Sequence, residues 1–584
     1  MNKHELARIF NEIGLLLELK GDNPFKVRAY YNAVRILENL TEDLEILINQ
    51  DRLREIPGFG EAIVKKIKEW TETGTIGYYE KLKTEIPAGL YYFLKIPGLG
   101  PKKINQIYHS LGITGLEELE QACHNNKLSV LPGFGVKTQE KICAGIQFIK
   151  EHKGQYLLAN ALNDALTIKN ELAKNSEVDK VEIAGSLRRF KEVVHDLDLV
   201  ASTENSEKVA EYFSRLPIIA EVIAKGNTKI SVVLKSGINT DLRIVKPIEF
   251  PHALQHFSGS KEHNTALRHL AKEQGYKVNE YGIFRDEEET PIYCRDEVEI
   301  YQKLGLSFIP PELREDLGEI KAAATQKMPN LAEPRDIKGI FHVHTTYSDG
   351  TNALKEMVEA TIEQGYSYLG IADHSQSAAY AGGLSNERVL KQLAEIDALS
   401  KEYPGFKIFK GIEADILPNG ELDYSADILK LFDYVIGSVH SQFRMSEEAM
   451  TARILKAMEN PFFTILGHPT GRILLERAAY EVDLEKVINK AAEKGIILEF
   501  NANPYRYDLD WRWCRKAKAA GVLIAINPDA HSIKEIDLVK GGLLVARKGW
   551  LEKKDVFNTR ELNEIEQYFS SKRNKANSYF FQKN

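Results

Sequence analysis

The chain has 584 residues, of which 43% are hydrophobic and 28% are charged, and its formal net charge is −7. This length predicts several domains, and the mixture of both charge signs is typical of a soluble globular protein. No run approaches the ~20 apolar residues of a membrane span, the N-terminal residues lack a signal-peptide core, and the four cysteines form no CxxC pair. We therefore expect a cytoplasmic protein with reduced thiols and no membrane partner.

A short turn motif is repeated in the N-terminal part. The segments IPGFGEAI, IPGLGPKK and LPGFGVKT begin at Ile56, Ile96 and Leu131. In each, Gly-x-Gly predicts a tight turn into a helix whose exposed N–H groups can bind phosphate. The segments resemble helix-hairpin-helix motifs. For the third segment, which leads towards the palm, the alternative to DNA binding is that it only packs there. Expected DNA contacts are Gly58, Gly60, Gly98, Gly100, Gly133 and Gly135. Such contacts position DNA without reading its bases, and the negative net charge requires them to be local.

An acidic triplet follows. Asp196 and Asp198 lie two apart in the apolar run VVHDLDLV, so a strand would present both carboxylates on one face. Asp241 heads a second strand-like run, DLRIV. Carboxylate oxygens suit hard divalent cations, and a metal pair stabilises the attacking and leaving oxygens of an in-line displacement. Asp-x-Asp alone is often a solvated surface pair, but the segment GSLRR at 185–189 adds a plausible triphosphate cradle.

These motifs resemble the DNA polymerase X family, the polymerase beta group of nucleotidyltransferases. The match continues in HFSGSKEHN and LRHLAKEQGYKVNEYGI. The resemblance implies a helical lyase-like domain at 1–90, helical fingers at 91–150, an α/β palm at 151–250 and a thumb at 251–318. It also implies Mg²⁺ or Mn²⁺ at the palm, dNTP substrates, and gapped or nicked DNA with a 5′-phosphate as the partner.

The same resemblance assigns roles to single residues. Asp196 and Asp198 would bridge both metal ions, while Asp241 would bind metal and accept the proton of the primer 3′-hydroxyl. The implied nucleotide site contains Gly185, Ser186 and Arg189 at the triphosphate, His256, Phe257 and Gly259 near the sugar, Asn264 at the base edge and Arg268 near the template strand. The family's usual Tyr-Phe-Thr-Gly-Ser reads HFSGS here. Because that tyrosine is associated with rejecting ribonucleotides, His256 leaves sugar discrimination open.

Lys66 is a candidate lyase nucleophile. In the family, a lysine at the matching position forms a Schiff base with an abasic sugar and removes the 5′-deoxyribose phosphate. Lys26 and Tyr30 also match lyase positions, and a lysine beside another cation, here Lys65, can act as a nucleophile. The alternative is that Lys65, Lys66 and Lys68 only form a phosphate-facing helix.

From about residue 339, strand-like runs alternate with helical segments: KGIFHVHT, YLGIADH, KIFKGIEAD, YVIGSVH, FTILGHP, GIILEFNAN and VLIAINPDAH. Seven alternating units predict a parallel (βα)7 barrel, in which functional side chains gather at the strand ends. The candidate ligands there are His342, His344, Asp349, His374, Glu413, His440, His468, Asp529 and His531. All six histidines after residue 331 belong to this set, which predicts a metal centre for Zn²⁺, Mn²⁺ or Fe²⁺.

This half resembles the polymerase and histidinol phosphatase (PHP) family over 338–575, after an expected linker at 319–337. The resemblance implies two or three metal ions held by three groups: His342, His344, Glu413 and Asp529; Glu413, His440 and His468; and Asp349, His374 and His531. Clusters of this kind support phosphoester hydrolysis.

The predicted fold class is multidomain α/β, with helical lyase-like and fingers domains, an α/β nucleotidyltransferase palm and thumb, and a (βα)7 PHP barrel. The predicted function is a template-directed DNA polymerase that fills short gaps in base excision repair, with a metal-dependent 3′-5′ exonuclease or abasic endonuclease in its PHP half. Two alternatives stay open: a DNA-end scaffold with one inactive half, and a polymerase fused to a small-molecule phosphomonoesterase. Nothing in the sequence suggests an obligate oligomer, so we expect a monomer.

Overall fold

The computed structural model describes residues 3–583 apart from 39, 41, 43, 88, 95, 97, 98, 286 and 287. Gly98, an expected DNA contact, lies outside the described residues. The chain divides into two compact units, Met1–Lys153 and Gly154–Asn584. Of the helices in the described ranges, none combines the length and the apolar character needed to cross a membrane.

The N-terminal unit is built from helices. They are α1 (Lys3–Lys20), α2 (Pro24–Glu38), α3 (Leu44–Asn49), α4 (Glu61–Thr73), α5 (Gly77–Glu85), α6 (Gly89–Phe93), α7 (Pro101–Leu111), α8 (Leu116–His124) and α9 (Val136–Glu151). On α1, Leu6, Phe10, Ile13 and Leu17 recur at helical spacing and are fully buried, which gives the helix one apolar face. The Phe10 ring packs edge-on against Tyr30 of α2, with 5.8 Å between the ring centroids.

The repeated Gly-x-Gly motif forms the predicted turns into helices. Gly60, Gly100 and Gly135 are the residues immediately before α4, α7 and α9. Gly58 and Gly133 have φ of +98° and +79°, a region that side chains strongly disfavour. Glycine is therefore required at the first position of the turn by backbone conformation.

We expect Gly58→Ala to weaken the packing of α4. A Cβ at Gly58 would lie 2.6 Å from Ile36 Cδ1 and 2.7 Å from Asn32 Nδ2, and the positive φ adds strain of about 1–3 kcal/mol. Hydrogen–deuterium exchange of the α4 amides in the full chain measures the loss of protection. The matched control is Gly60→Ala, at φ −72° with no described atom within 4 Å of the added Cβ, for which we expect a smaller loss. Equal loss in both variants would contradict the prediction.

The first half of the C-terminal unit mixes strands and helices. Its elements are β1 (Tyr156–Leu157), α10 (Leu158–Ala173), β2 (Lys180–Ile183), α11 (Gly185–Arg188), β3 (Val193–Val194), β4 (Asp196–Ser202), α12 (Ser206–Ser214), β5 (Ile219–Lys225), β6 (Lys229–Leu234), β7 (Asn239–Val245), α13 (Phe250–Ser258), α14 (Lys261–Glu273), β8 (Tyr276–Asn279), β9 (Gly282–Arg285), α15 (Glu297–Lys303) and α16 (Glu319–Ala324). The main sheet has the order β2–β4–β7–β6–β5.

Strand β4, the second strand of this sheet, carries the acidic pair. Leu197 and Leu199 are fully buried in the core, so the alternating pleat turns Asp196 and Asp198 to the opposite face. β4 runs parallel to β7 and antiparallel to β2. This pairing brings two acidic strands side by side.

The segment expected as a linker contains the short helix α16. Glu319 at its start is fully buried, and its carboxylate lies 2.7 Å from His263 Nδ1 of α14. Ala323 is fully buried in the same apolar cluster as Ile300 and Leu313. These contacts make the first part of 319–337 an extension of the thumb segment.

The second half of the C-terminal unit alternates parallel strands with helices. Its elements are β10 (Gly339–Val343), α17 (Leu354–Glu363), β11 (Tyr368–Ile371), α18 (Asn386–Glu402), β12 (Lys407–Phe409), β13 (Gly411–Asp415), α19 (Ala426–Leu429), β14 (Tyr434–Ser438), α20 (Glu447–Ala457), β15 (Phe463–Leu466), α21 (Leu484–Lys494), β16 (Ile497–Asn501), α22 (Trp511–Ala519), β17 (Ile524–Asn527), α23 (Leu538–Ala546) and α24 (Leu562–Lys583). Each strand-like run of the sequence contains at least one of these strands.

The expected closed seven-stranded barrel is not formed by the described residues. Instead, the strands of this part form two parallel sheets, β10–β11–β12 and β13–β14–β15–β16–β17. The physical reason is a break at Lys410, whose N–H donates to Asp433 Oδ2 at 3.0 Å and whose carbonyl accepts from the Asp433 N–H at 2.7 Å. The break splits the run KIFKGIEAD into β12 and β13. Isolated bridges, Val343 with Ala530 and His374 with Glu413, link the two sheets.

Candidate active sites

The acidic triplet expected at the palm lies where β4 and β7 run side by side. Asp198 is the direct partner of Asp241 in this parallel pair, and Asp196 lies two residues earlier on the same face. Neighbouring strands are about 4.8 Å apart, so the three carboxylates share one small patch. Lys229 Nζ lies 2.6 Å from Asp241 Oδ2, and Ser231 Oγ donates to Asp241 Oδ1 at 2.6 Å.

Crowding of like charge perturbs Asp198. Burial, followed by the charges of Asp196 and Asp241, raises the pKa of Asp198 to about 7. Gly185, at φ +62°, packs against this carboxylate, and a Cβ there would collide with Asp198 Oδ2. A set of oxygen donors that repel one another fits hard divalent cations, which would relieve the repulsion.

The expected triphosphate residues lie beside this patch. Ser186 is half-buried in α11. Arg189 follows α11 and is buried: its Nε donates to Glu315 Oε1 at 3.2 Å, and its Nη1 donates to the carbonyl of Ser258. A Cβ on Gly259, whose φ is +67°, would lie 3.0 Å from Arg189 Nη1. The structure therefore brings Arg189 and Gly259 together, but it pairs the guanidinium with a carboxylate.

The other expected nucleotide residues belong to α13 and α14. Asn264 Nδ2 donates to the carbonyl of His256 at 2.7 Å, and Asn264 Oδ1 accepts from Gln255 at 3.1 Å. Burial lowers the pKa of His256, which favours a neutral imidazole at pH 7. Arg268 is exposed one turn beyond Asn264, and Phe257 is half-buried next to His256.

Lys66 lies on α4 in an aromatic setting. Its Nζ is 4.8 Å from the centroid of the Tyr78 ring and 5.9 Å from that of Tyr30. Burial, and then the charges of Lys26 and Lys65, lower the pKa of Lys66. A lysine with a lowered pKa is more often unprotonated and therefore more nucleophilic.

The hairpin turns expose backbone donors in the same unit. Among the described residues, no side chain caps the starts of α4, α7 or α9. Gly60, Gly100 and Gly135 are exposed. The first N–H groups of these helices are thus open to an anion such as a DNA phosphate.

Glu413 lies at the centre of a histidine cluster in the second half of the C-terminal unit. Its side chain is buried in the middle of β13. Its carboxylate oxygens lie 3.2 Å from His342 Nε2, 3.8 Å from His344 Nε2, 2.9 Å from His374 Nδ1, 3.3 Å from His440 Nε2 and 3.1 Å from His468 Nε2. One buried carboxylate therefore contacts imidazoles from several strand ends.

The remaining acidic candidates complete the cluster. Asp529 Oδ1 lies 3.4 Å from His342 Nε2 and 3.2 Å from His344 Nε2. Asp349 Oδ1 lies 3.3 Å from His531 Nε2. Groups whose potential ligand atoms all lie within 4.8 Å of one another are His344, Asp349, His374 and His531; His342, Glu413 and His468; His342, His344 and Asp529; and His374, Glu413 and His440.

These groups contain every expected PHP ligand but divide them differently from the expected three groups: Glu413 is not grouped with His344 and Asp529, and His440 and His468 fall in separate groups around Glu413. His344 also reaches the Asp349 group, and His374 also reaches Glu413. The palm aspartates are not among the described groups gathered within 4.8 Å.

Unpaired buried atoms test whether this cluster fits metal ions. His342 Nε2, both ring nitrogens of His344 and Glu413 Oε2 are buried without a hydrogen-bond partner among the described residues. Each such atom costs about 1–3 kcal/mol if it stays unsatisfied. Nitrogen and carboxylate donors of this kind suit divalent transition metals. The donor set therefore fits metal ions.

Burial and neighbouring charges shift the pKa values of the histidines in this cluster. Burial, followed by the charges of His531 and His374, lowers the pKa of His344 to about 3, so its ring is neutral and ready to bind metal. Burial opposes the charge on His440, but Glu413 and Asp415 raise its pKa to about 10. Metal binding would therefore release a proton from His440.

Two carboxylates that were not among the sequence candidates orient the imidazoles. Glu499 is fully buried in β16 and accepts from His342 Nδ1 at 2.6 Å and from the His468 N–H at 2.7 Å. Asp415 lies 2.5 Å from His440 Nδ1. Carboxylates behind metal-binding histidines fix ring orientation and raise ligand basicity. The available signal is a glutamate inside the otherwise apolar strand IILEFN.

Asp373 anchors the first loop of this half. It is fully buried and accepts from the Thr345 N–H at 2.8 Å, from Thr345 Oγ1 at 2.7 Å and from the Ser348 N–H at 3.1 Å. This loop carries Asp349. Asp373 therefore positions a candidate ligand on a segment without regular structure.

Comparisons with known proteins match different families to successive segments of the chain. Family models match for the helix-hairpin-helix domain at 1–76, the SAM-like helix-hairpin-helix tandem at 91–147, the DNA polymerase beta thumb at 253–315 and the PHP domain at 341–503. The DNA polymerase/3'-5' exonuclease PolX of Bacillus subtilis (strain 168) is 41% identical over 570 residues, which are 97% of this chain and 99% of that protein.

The PHP half also has shorter relatives. A probable phosphatase of Thermoanaerobacter sp. (strain X514) is 29% identical over 248 residues, which are 40% of this chain and 95% of that protein. A probable phosphatase of Caldanaerobacter subterraneus subsp. tengcongensis is 28% identical over 243 residues, or 40% of this chain and 91% of that protein.

Helix-hairpin-helix domains, a polymerase beta thumb and a PHP domain together define a metal-dependent DNA-binding enzyme. The chain belongs to the DNA polymerase X family, in the form that carries a C-terminal PHP domain. The resemblance stated from the sequence is confirmed.

We expect Glu499→Gln to weaken metal binding in the PHP half about 10–100-fold. The amide keeps one acceptor but loses the charge that orients His342 and holds the His468 backbone. Calorimetric titration of metal-stripped protein with Zn²⁺ or Mn²⁺ measures the affinity. Glu493→Gln, at an exposed site on α21, is the matched control and should bind as the unchanged protein does. An unaltered affinity in Glu499→Gln would refute the positioning role.

Proposed function

We propose that this chain is a template-directed DNA polymerase that fills short gaps in base excision repair, with a metal-dependent 3′-5′ exonuclease in its PHP half. The observation that carries the proposal is the parallel pairing of Asp198 with Asp241. It occurs in a chain 41% identical, over 97% of its length, to a protein named as a polymerase and 3'-5' exonuclease. The cluster around Glu413 supports the second activity because it is a separate set of metal ligands.

In the proposed polymerase site, Asp196, Asp198 and Asp241 hold Mg²⁺ or Mn²⁺. The ions, when bound, neutralise charge on the triphosphate and on the attacking oxygen. Asp241 accepts the proton of the primer 3′-hydroxyl, for which it must leave Lys229, and Ser186 supplies a hydroxyl to the triphosphate. This assignment is supported by the shared face of the three carboxylates.

The remaining nucleotide contacts are proposed from the family resemblance and the local geometry. Gly185 and Gly259 allow the backbone to approach the triphosphate and sugar, Asn264 meets the base edge and Arg268 lies near the template. His256 and Phe257 line the sugar side. Because His256 replaces the tyrosine that the family associates with rejecting ribonucleotides, we propose weaker exclusion of ribonucleotides.

The proposed partner is gapped or nicked DNA with a 5′-phosphate. The open helix starts of α4, α7 and α9 would contact phosphates, which positions DNA irrespective of its sequence. This suits an enzyme that must act at gaps wherever they arise. We propose that the protein works as a monomer in the cytoplasm.

In the PHP half we propose two or three Zn²⁺, Mn²⁺ or Fe²⁺ ions. The ions supply charge neutralisation and an activated nucleophile for phosphoester hydrolysis. Two rim residues support a DNA substrate. Tyr380 is 72% exposed and its ring lies 6.1 Å from that of His374, where it can stack on a base. Arg506 Nε lies 3.7 Å from Asp529 Oδ2 and offers a cation to phosphate.

A second candidate for this half is a phosphomonoesterase. Two relatives, 29% and 28% identical, favour it because both are named as probable phosphatases. Each of these matches spans 40% of this chain. An abasic endonuclease would use the same cluster. Hydrolysis of a DNA 3′ end, of an abasic site and of a small phosphate monoester by the full chain separates these activities.

We expect Asp198→Ala to abolish synthesis and spare hydrolysis, and His344→Ala to do the reverse. Each loss should be about a hundredfold or more, as for removal of groups that stabilise transition-state charge. The assay uses a 5′-phosphorylated one-nucleotide-gap DNA with Mn²⁺, with and without dNTPs. Asp427→Ala and His269→Ala, at exposed sites, are the controls. Loss of both activities in either variant would sink the two-centre proposal.

We also propose that Lys66 is the nucleophile of a 5′-deoxyribose phosphate lyase. Borohydride reduction should trap a covalent complex with abasic DNA, and Lys66→Ala should abolish it. Burial lowers the pKa of Lys66 from its usual 10.5. The rate of covalent trapping should therefore rise with pH and reach its plateau below pH 10.5. Lys65→Ala is the matched control and should still be trapped. Trapping that persists in Lys66→Ala would assign the chemistry to another amine.

A further inference from the structure

The PHP half is packed against the polymerase half of the C-terminal unit. Trp511 Nε1 donates to Glu192 Oε2 at 3.1 Å, and Arg512 Nη1 donates to Glu192 Oε1 at 2.9 Å. Glu192 follows the GSLRR segment by only a few residues. The helix α22 of the PHP half therefore contacts the loop that follows α11, close to Arg189.

Lys548 extends this contact into the interior. It lies in a 3-10 turn after α23 (Arg547–Gly549), and its side chain is fully buried. Its Nζ donates to Glu315 Oε1 at 2.7 Å and to the carbonyl of Arg189 at 2.9 Å, and it lies 4.7 Å from the Trp511 ring centroid. Lys548 of the PHP half therefore contacts residues of the polymerase half.

Arg189 and Lys548 share one acceptor. Arg189 Nε donates to Glu315 Oε1, the same oxygen that Lys548 contacts. The Glu315 side chain is 9% exposed, so its charge is shielded from water and needs a partner. The charge of Arg189, while paired with Glu315, is not available to a triphosphate.

We propose that Lys548 is a positioning residue for nucleotide binding: it keeps Glu315 paired, so that Arg189 can leave that carboxylate and turn to the triphosphate. The proposal rests on the proposed function, in which Arg189 takes the role at the triphosphate that the family resemblance implies. Without Lys548, the departure of Arg189 would leave a buried carboxylate with Lys191 alone. Lys191 lies 3.6 Å from the other oxygen and is 35% exposed, so solvent screens its charge.

The charges of the pair support this role. Burial acts to raise the pKa of Glu315, but Lys548 and then Arg189 hold it below the usual value. Burial lowers the pKa of Lys548 to about 8, although Glu315 acts in the opposite direction. Each member of the pair therefore stabilises the charged form of the other.

The test is steady-state gap filling by the full chain carrying Lys548→Met, which keeps the side-chain volume but removes the charge. We expect KM for dNTP to rise about tenfold, equivalent to about 1.4 kcal/mol, with kcat changed much less. Adding Glu315→Gln removes the charge that holds Arg189, so the double variant should recover the KM of the unchanged protein. A rise in KM that Glu315→Gln does not relieve would overturn the proposal.

Arg547→Met is the matched interface control. Arg547 Nη2 pairs with the buried Glu312 in the same interface, so the variant loosens the packing without removing a partner of Glu315. We expect its KM for dNTP to be unchanged. If Arg547→Met and Lys548→Met raise KM equally, general loosening of the interface explains the effect and the proposal fails.

Arg189→Lys separates this inference from the proposed function. An unchanged KM in Arg189→Lys would refute the triphosphate role of Arg189 itself. A raised KM in Arg189→Lys with a normal KM in Lys548→Met would refute the positioning role alone. If Lys548→Met does not fold, the KM values of Glu315→Gln and of the double variant are compared instead. Equal KM values support coupling through Glu315, and unequal values overturn it.

Discussion

Burial of the Glu413 carboxylate is the constraint around which the PHP half is arranged. A charge removed from water needs compensating partners, and imidazoles from several strand ends provide them. The backbone of Glu413 also forms the seam between the two sheets, since its N–H donates to the Asp373 carbonyl at 3.0 Å and its carbonyl accepts from the Ser375 N–H at 2.9 Å. The same residue thus joins the sheets and gathers the ligands.

The acidic triplet on β4 and β7 is in the opposite electrostatic situation, because groups of like charge lie close together there. Its carboxylates are brought together by strand register, and repulsion contributes to the raised pKa of Asp198. Lys229 and Ser231 engage Asp241, so cations must compete with a lysine there. The palm therefore offers oxygen donors to hard ions, whereas the PHP cluster offers nitrogen and oxygen donors to transition metals.

The rule that a buried charge needs a partner also operates between the halves. Glu315 is held by Arg189 from the polymerase half and by Lys548 from the PHP half. Glu192 of the polymerase half is held by Trp511 and Arg512, both from the PHP half. These contacts join the PHP half to Arg189 and to the loop that follows α11, and they do not involve the candidate metal ligands of the PHP half.

The sequence by itself determined the features that depend on local conformation and periodicity. Gly-x-Gly predicts a turn into a helix, alternation predicts which face of β4 is acidic, and strand-end positions predict the PHP ligands. Tertiary structure alone decided which distant groups meet. The break at Lys410 replaces one closed barrel with two sheets, Glu499 orients His342, and Glu315 links Arg189 to Lys548. These outcomes depend on pairings between residues far apart in the chain, for which a residue's local pattern carries no information.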